Sequence, residues 1–137
     1  MDGDEARHRA ARNWNRTVGP FYSRATLLRD LAIAEAELDA RIERAEVLRL
    51  ERGGREFFPA FQFLGDRSTV PGLRQLRVAL NPALDPDVDW SVTLWLCARR
   101  DEFDGANAVE LLRGGAFDRV AEEAQRNPVL PPGVGGI

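Results

Sequence analysis

The side chains that could do chemistry in this chain are few: one cysteine, one histidine and two groups of acids. Cys97 would need a nearby base to act as a nucleophile, but the only histidine, His8, is far away in the sequence. Cys97 also lies in an apolar stretch typical of a buried helix. One cysteine cannot form an internal disulfide, and one Cys with one His cannot complete a zinc site. We therefore expect no cysteine nucleophile and no structural metal.

The acids form two short groups, Asp85, Asp87 and Asp89, and Asp101, Glu102 and Asp104. Both groups lie beside predicted helix starts, where carboxylates usually cap a helix or face solvent. Neither has the spacing of an EF-hand loop, and no glycine-rich phosphate loop follows a predicted strand. We expect a protein that is not an enzyme and needs no cofactor.

The composition is that of an ordinary water-soluble domain: 137 residues, 44% hydrophobic and 30% charged. The longest apolar stretch, residues 90–98, is far shorter than the roughly 20 residues of a membrane-spanning helix. The charged N-terminus lacks an apolar signal-peptide segment. These features predict one domain in the cytoplasm, with no membrane contact.

The formal net charge of −3 is unevenly placed. Residues 1–29 carry six arginines against three acids, whereas residues 30–137 carry thirteen against nineteen. An acidic body rarely binds DNA non-specifically, which leaves the N-terminal arm as the part suited to phosphate.

The N-terminal part predicts short helices. Residues 1–25 read as an arm or a short helix with Asp4 as its N-cap. Residues 26–45 predict a helical pair, Thr26–Leu31 and Glu35–Arg44, with the spacing of a degenerate helix-turn-helix. Such a pair either packs on the core or reads DNA.

An aromatic run follows a predicted β-hairpin turn at Gly53-Gly54. Pro59 indicates that the second strand lies at a sheet edge or ends there. Gln62, the lone amide in the run, must find hydrogen-bond partners if it is buried. The aromatic side chains and two tryptophans are assigned to the core or to self-association: Phe57, Phe58, Phe61, Phe63, Trp90 and Trp95.

Two helices should follow the hairpin. The first begins at Pro71 and places on its buried stripe Leu73, Leu76 and Leu80. The second has Asp89 as its N-cap and carries on one face Trp90, Leu94 and Cys97. Because the second helix is apolar on most sides, we expect it to be central.

The C-terminal part predicts two more helices and a tail. Asn107 and Glu110 form a capping-box pattern for a helix that stops at Gly114-Gly115, and a last helix covers Phe117–Gln125. Residues 127–137 form an extended Pro/Gly-rich tail that is either a flexible end or a segment ordered on a partner. The predicted fold is mainly α with a small β-hairpin, a compact helical domain (46–126) preceded by a short helical N-terminal region.

Residues 46–126 carry a set of motifs in a fixed order: Phe58-Pro59-Ala60-Phe61-Gln62-Phe63, Pro71-Gly72-Leu73, a tryptophan-containing helix, Asp104-Gly105, and Glu110-Leu111-Leu112-Arg113-Gly114-Gly115 followed by Val120 and Ala124. In order and spacing this set resembles the toxin-binding domain of Xre/MbcA/ParS-type antitoxins. The helices before it are similar to the upstream part of that family. Phe58 stands where the family often has a tyrosine, and the sequence before Thr26 does not match it.

The resemblance implies a cytoplasmic antitoxin of a type II toxin–antitoxin system, whose partner is a RES-domain toxin that degrades NAD. The antitoxin would do no chemistry itself, and its C-terminal helices and tail would cover the toxin's active-site cleft. The complex would be a hetero-oligomer, or the antitoxin a homo-oligomer. The toxin-binding residues expected from the resemblance and the tail composition are Arg113, Arg119, Arg126, Asn127, Val129, Leu130, Val134 and Ile137.

Two other interpretations stay open. One is a DNA-binding transcriptional regulator that acts on its own promoter. Against it, the helix Glu35–Arg44 has only two basic side chains that could contact a DNA groove, Arg41 and Arg44. The other is a non-enzymatic dimerisation or scaffold domain that associates through the hairpin edge and its aromatics.

Overall fold

The computed structural model describes residues 17–127, which are mainly α-helical with a small antiparallel sheet, as predicted. Within that range the helices are α1 Arg24–Leu31, α2 Glu35–Glu43, α3 Leu73–Leu80, α4 Pro86–Cys97, α5 Ala108–Arg113 and α6 Phe117–Arg126. Single 3₁₀ turns cover Ala60–Gln62 and Asp101–Phe103. The helix predicted after Asp4 lies outside the described residues, as does the tail beyond Asn127.

The sheet has three strands, β1 Phe21–Tyr22, β2 Leu50–Arg52 and β3 Arg55–Pro59, in the order β1-β3-β2. Strands β2 and β3 form the predicted hairpin, whose two turn glycines have φ of 60° and 77° and so occupy a conformation that other residues rarely adopt.

Of the two alternatives predicted from Pro59, the sheet edge is wrong, because β3 is the central strand, and the strand end is confirmed. Phe21 of β1 pairs with Pro59, and the amide of Ala60 donates to the carbonyl of Pro20 at 3.0 Å. The strand does end at Pro59, since the proline has no N–H with which to extend the ladder. A two-residue strand such as β1 has no periodicity that a sequence could reveal.

Helix α1 begins at Arg24, two residues before the predicted Thr26, because Ser23 caps it by accepting from the Thr26 amide at 3.2 Å.

Two further predicted helix starts are wrong. Helix α3 begins at Leu73, because Gly72 before it has φ of 81° and interrupts the helix that Pro71 would begin. Helix α4 begins at Pro86, with Asp85 as the N-cap that accepts from the Asp87 amide at 2.9 Å. Asp89 is therefore not a cap: it lies inside α4 and is 1% exposed.

The starts and ends of α5 and α6 are close to the prediction. The Asn107 side chain accepts from the Glu110 amide at 2.9 Å, and α5 ends before Gly114. Helix α6 ends at Arg126, one residue after the predicted limit.

The buried apolar residues form two clusters. The larger one unites α3, α4, α5 and α6, and Cys97 belongs to it. The smaller one joins Leu27, Leu31 and Leu38 of the helical pair to Phe58 and Phe63 of the aromatic run. Trp90, Leu94 and Cys97 share one face of α4 by helical spacing, but that face is not uniformly buried, because Cys97 is 6% and Leu94 40% exposed. Periodicity alone cannot select the buried face of a helix that is apolar on most sides.

Candidate functional site

The C-terminal end of α6 is fixed to the rest of the domain by Trp95. The Trp95 indole N–H donates to the backbone carbonyl of Asn127 at 2.7 Å, and the Asn127 side-chain amide donates to a Glu123 carboxylate oxygen. The Arg100 guanidinium lies 4.3 Å from the centre of the Trp95 ring. The chain therefore leaves the described part of the fold from a defined point.

Glu123 is an unusual residue for this position because it is buried and ionisable. It is 2% exposed, and the nearest nitrogens of Arg100 and Arg126 lie 3.9 Å from its two carboxylate oxygens, which is too long for a hydrogen bond. Among the described residues, Glu123 Oε1 and Arg100 Nε are buried without a hydrogen-bond partner. The Glu123 carboxylate thus has one hydrogen-bonded oxygen, which accepts from Asn127, and its contacts with Arg100 and Arg126 are charge attraction only. This cluster lies beside the point where the tail begins.

The arginines expected to contact a toxin are all exposed, and each already has partners within the chain. Arg113 donates to the Phe61 carbonyl at 2.7 Å, which joins α5 to the aromatic run. Arg119 donates to the Glu102 carbonyl at 2.8 Å, and Arg126 lies 3.6 Å from Glu122.

Arg119 and Arg126 lie seven residues apart, and therefore on one face of α6. Asn127 directly follows Arg126, so two of the predicted positions lie at the C-terminal end of α6, whereas Arg119 lies in its first turn. The remaining predicted positions lie outside the described residues: Val129, Leu130, Val134 and Ile137.

The aromatic residues serve mainly the core. Phe58, Phe63 and Trp95 are buried, whereas Phe57, Phe61 and Trp90 are half-buried. The Phe57 ring lies 6.2 Å from the Trp90 ring, over which the Arg52 guanidinium stacks at 4.4 Å.

The basic residues of α2 are engaged within the chain. Arg41 donates to Glu37 at 3.1 Å and to the Arg67 carbonyl at 2.9 Å, and Arg44 donates to Glu46 at 3.0 Å. Contact with a DNA backbone would have to replace these bonds on an otherwise acidic helix. The geometry of α2 does not favour groove reading.

A buried ion pair that the sequence did not reveal joins α3 to α4. Arg77 donates to both carboxylate oxygens of Asp89, at 2.7 and 3.1 Å, and to the Val47 carbonyl at 3.1 Å. Asn81 donates to the same carboxylate at 2.9 Å. All the side chains in this network are buried, so its evident role is to fix the packing of the two helices.

A second ionic cluster ties α1 to β3. Hydrogen bonds from the Arg24 guanidinium, at 2.9 and 3.0 Å, are the largest cause that lowers the pKa of Glu56 to about 2. Desolvation opposes them, and a hydrogen bond from Arg49 lowers the pKa further. At the other extreme, burial raises the pKa of the Cys97 thiol to about 12, so this cysteine is not poised as a nucleophile.

Within residues 17–127 no three His, Cys, Asp or Glu side chains are grouped so as to hold a metal ion. No helix in the same range has the length and apolar character needed to cross a membrane. No protein-family model, curated protein or solved structure was found to match the chain significantly.

Proposed function

We propose that the protein is the antitoxin of a type II toxin–antitoxin system, and that it binds and neutralises a RES-domain toxin that degrades NAD. Two things support the proposal: the ordered motifs of residues 46–126, and the hydrogen bond between Trp95 and Asn127 at the root of the tail. A tail that starts from a fixed point loses less conformational freedom when it binds than one on a frayed helix end.

In this proposal the aliphatic tail residues enter the toxin's active-site cleft, while the end of α6 lies on its rim. A proline-rich segment is already restricted before it binds, which lowers the entropy lost on insertion. The exposed arginines would exchange internal partners for partners on the toxin. Such exchanges contribute little to affinity, so their main effect would be on the rate of association.

The test is a pull-down of the tagged full chain from its source cell, followed by mass spectrometry and an assay for NAD loss. We expect a stoichiometric RES-domain partner whose NAD-degrading activity appears only after the chain is removed. Recovery of promoter DNA without a RES-domain partner would instead identify a transcriptional regulator, and recovery of the chain alone would identify a scaffold. Either result would reject the proposal.

Variants of the full chain then locate the inhibitory segment. Replacing the four tail aliphatics with serine should abolish inhibition and leave the domain folded: Val129, Leu130, Val134 and Ile137. The matched control replaces Leu84 and Leu94, which are 39% and 40% exposed on the folded domain. Equal inhibition by the tail variant and the control would exclude the tail from the toxin-binding surface.

A further inference from the structure

A groove between α3 and α6 has no occupant among the described residues. Its volume is about 250 Å³, and its walls include Ala79, Phe117 and Ala121. This volume is smaller than the roughly 300–1,000 Å³ typical of small-molecule sites. It matches a few aliphatic side chains of a peptide better than a metabolite.

The chemistry of the groove selects an uncharged, extended segment. No side chain that lines it is charged, and the exposed amides of Gln75 and Gln125 contribute to its lining. A glutamine amide offers both a donor and an acceptor, which suits the unpaired backbone groups of an extended chain. Residues 128–137 of this chain have this character, since they consist only of valine, leucine, isoleucine, proline and glycine.

The tail also begins close to the groove. Asn127 is fixed by the Trp95 indole, and the groove residues Ala124 and Gln125 precede it by three and two positions. The far end of the groove, at Phe117, is about 15 Å back along the helix at 1.5 Å per residue. About five extended residues span that distance.

We propose that, in the protein without a partner, tail residues 129–134 of the same chain occupy this groove, with Val129 and Leu130 as its apolar anchors. This self-docking covers apolar tail side chains that would otherwise face water. A partner that takes the tail must first displace it from the groove. The inference concerns the isolated protein and does not depend on what the partner is.

The test is paramagnetic broadening in the full chain, with a nitroxide attached to Gly136→Cys. Cys97 stays unlabelled, because it is 6% exposed and its thiol has a pKa of about 12. We expect the amides of Gln75, Ala79 and Ala121 to lose most of their intensity while those of α1, in the other core cluster, keep theirs.

The matched control carries the same label and two further changes, Val129→Ser and Leu130→Ser. These changes alter no residue of the groove itself and remove only the two proposed anchors, so the control should restore the groove signals. Uniform broadening, or groove broadening that survives the serine changes, would overturn the proposal. Broadening of an unlabelled chain mixed with a labelled one would show that the occupant is a second copy, which would also overturn it.

Discussion

The Gln62 side chain pairs with the backbone of Leu48 as a neighbouring strand would. Its carbonyl oxygen accepts from the Leu48 amide at 2.8 Å, and its amide nitrogen donates to the Leu48 carbonyl at 3.0 Å. Both residues are fully buried. The expectation that a buried glutamine in the aromatic run must find partners is therefore confirmed.

Replacing Gln62 with leucine should destabilise the protein. The substitution keeps most of the volume but leaves the buried N–H and C=O of Leu48 without partners, and each lost partner costs about 1–3 kcal/mol. We expect the free energy of unfolding to fall by about 2–6 kcal/mol, as measured by urea denaturation followed by tryptophan fluorescence.

The control for this change is Glu43→Leu, because Glu43 is exposed on α2. Its effect should stay within about 0.5 kcal/mol. If Gln62→Leu were as mild as the control, the paired hydrogen bonds would contribute no stability.

A second prediction concerns the buried pair Arg77 and Asp89. Asp89→Leu alone leaves the Arg77 charge buried and unpaired, which should cost about 3–5 kcal/mol. The double variant Arg77→Met/Asp89→Leu removes both charges and should recover most of that loss. A double-mutant cycle from urea denaturation measures the coupling.

Asp87→Leu is the control for the pair, since Asp87 is exposed in the same first turn of α4. A double variant as unstable as the sum of its two single variants would show that Arg77 and Asp89 are not coupled.

Asp89 also illustrates what the sequence could and could not predict. Asp85 and Asp89 both precede apolar positions, so local pattern alone cannot decide which one caps α4. The ion pair with Arg77, twelve positions away, keeps Asp89 in the interior and leaves Asp85 as the N-cap. By contrast, Asn107 caps α5 through a contact three residues away, and that start was predicted correctly.

The candidate site divides in the same way. The tail anchors and the arginines were found from composition and from the family resemblance. The bond from Trp95 to Asn127 spans 32 positions and has no local signature. The burial of Glu123 could not be predicted from the sequence either, because this residue lies among polar residues, and two of them, Glu122 and Gln125, do face solvent.

A third prediction follows from Glu56, whose pKa is lowered from about 4.5 to about 2 in the folded protein. Because the folded-state pKa is the lower one, the pairing with Arg24 stabilises the fold above pH 4.5, and this stabilisation is lost as the pH falls towards 2. Glu56→Gln should therefore unfold more easily at pH 7, by about 1 kcal/mol or less because the pair is near the surface.

The difference between the wild type and Glu56→Gln should shrink as the pH falls from 4.5 to 2. Urea denaturation at a series of pH values measures it. Glu43→Gln serves as the control, because Glu43 is an exposed carboxylate on α2. A difference between wild type and Glu56→Gln that is constant over this pH range would contradict the role assigned to the pair.

The last prediction tests Trp95 as the residue that fixes the root of the tail. Trp95→Phe retains an aromatic ring against Arg100 but removes the N–H that donates to Asn127, so the backbone carbonyl loses its partner. The lost bond should cost about 1 kcal/mol of stability, together with a packing loss from the smaller ring. Inhibition of the proposed toxin should weaken by more than this loss of stability explains, because the tail then starts from a less fixed position.

Trp90→Phe is the control: it removes a comparable indole bond, to the Glu51 carbonyl, on another side of α4. If the two variants lost inhibition equally at matched stability, the orientation of the tail would not depend on Trp95.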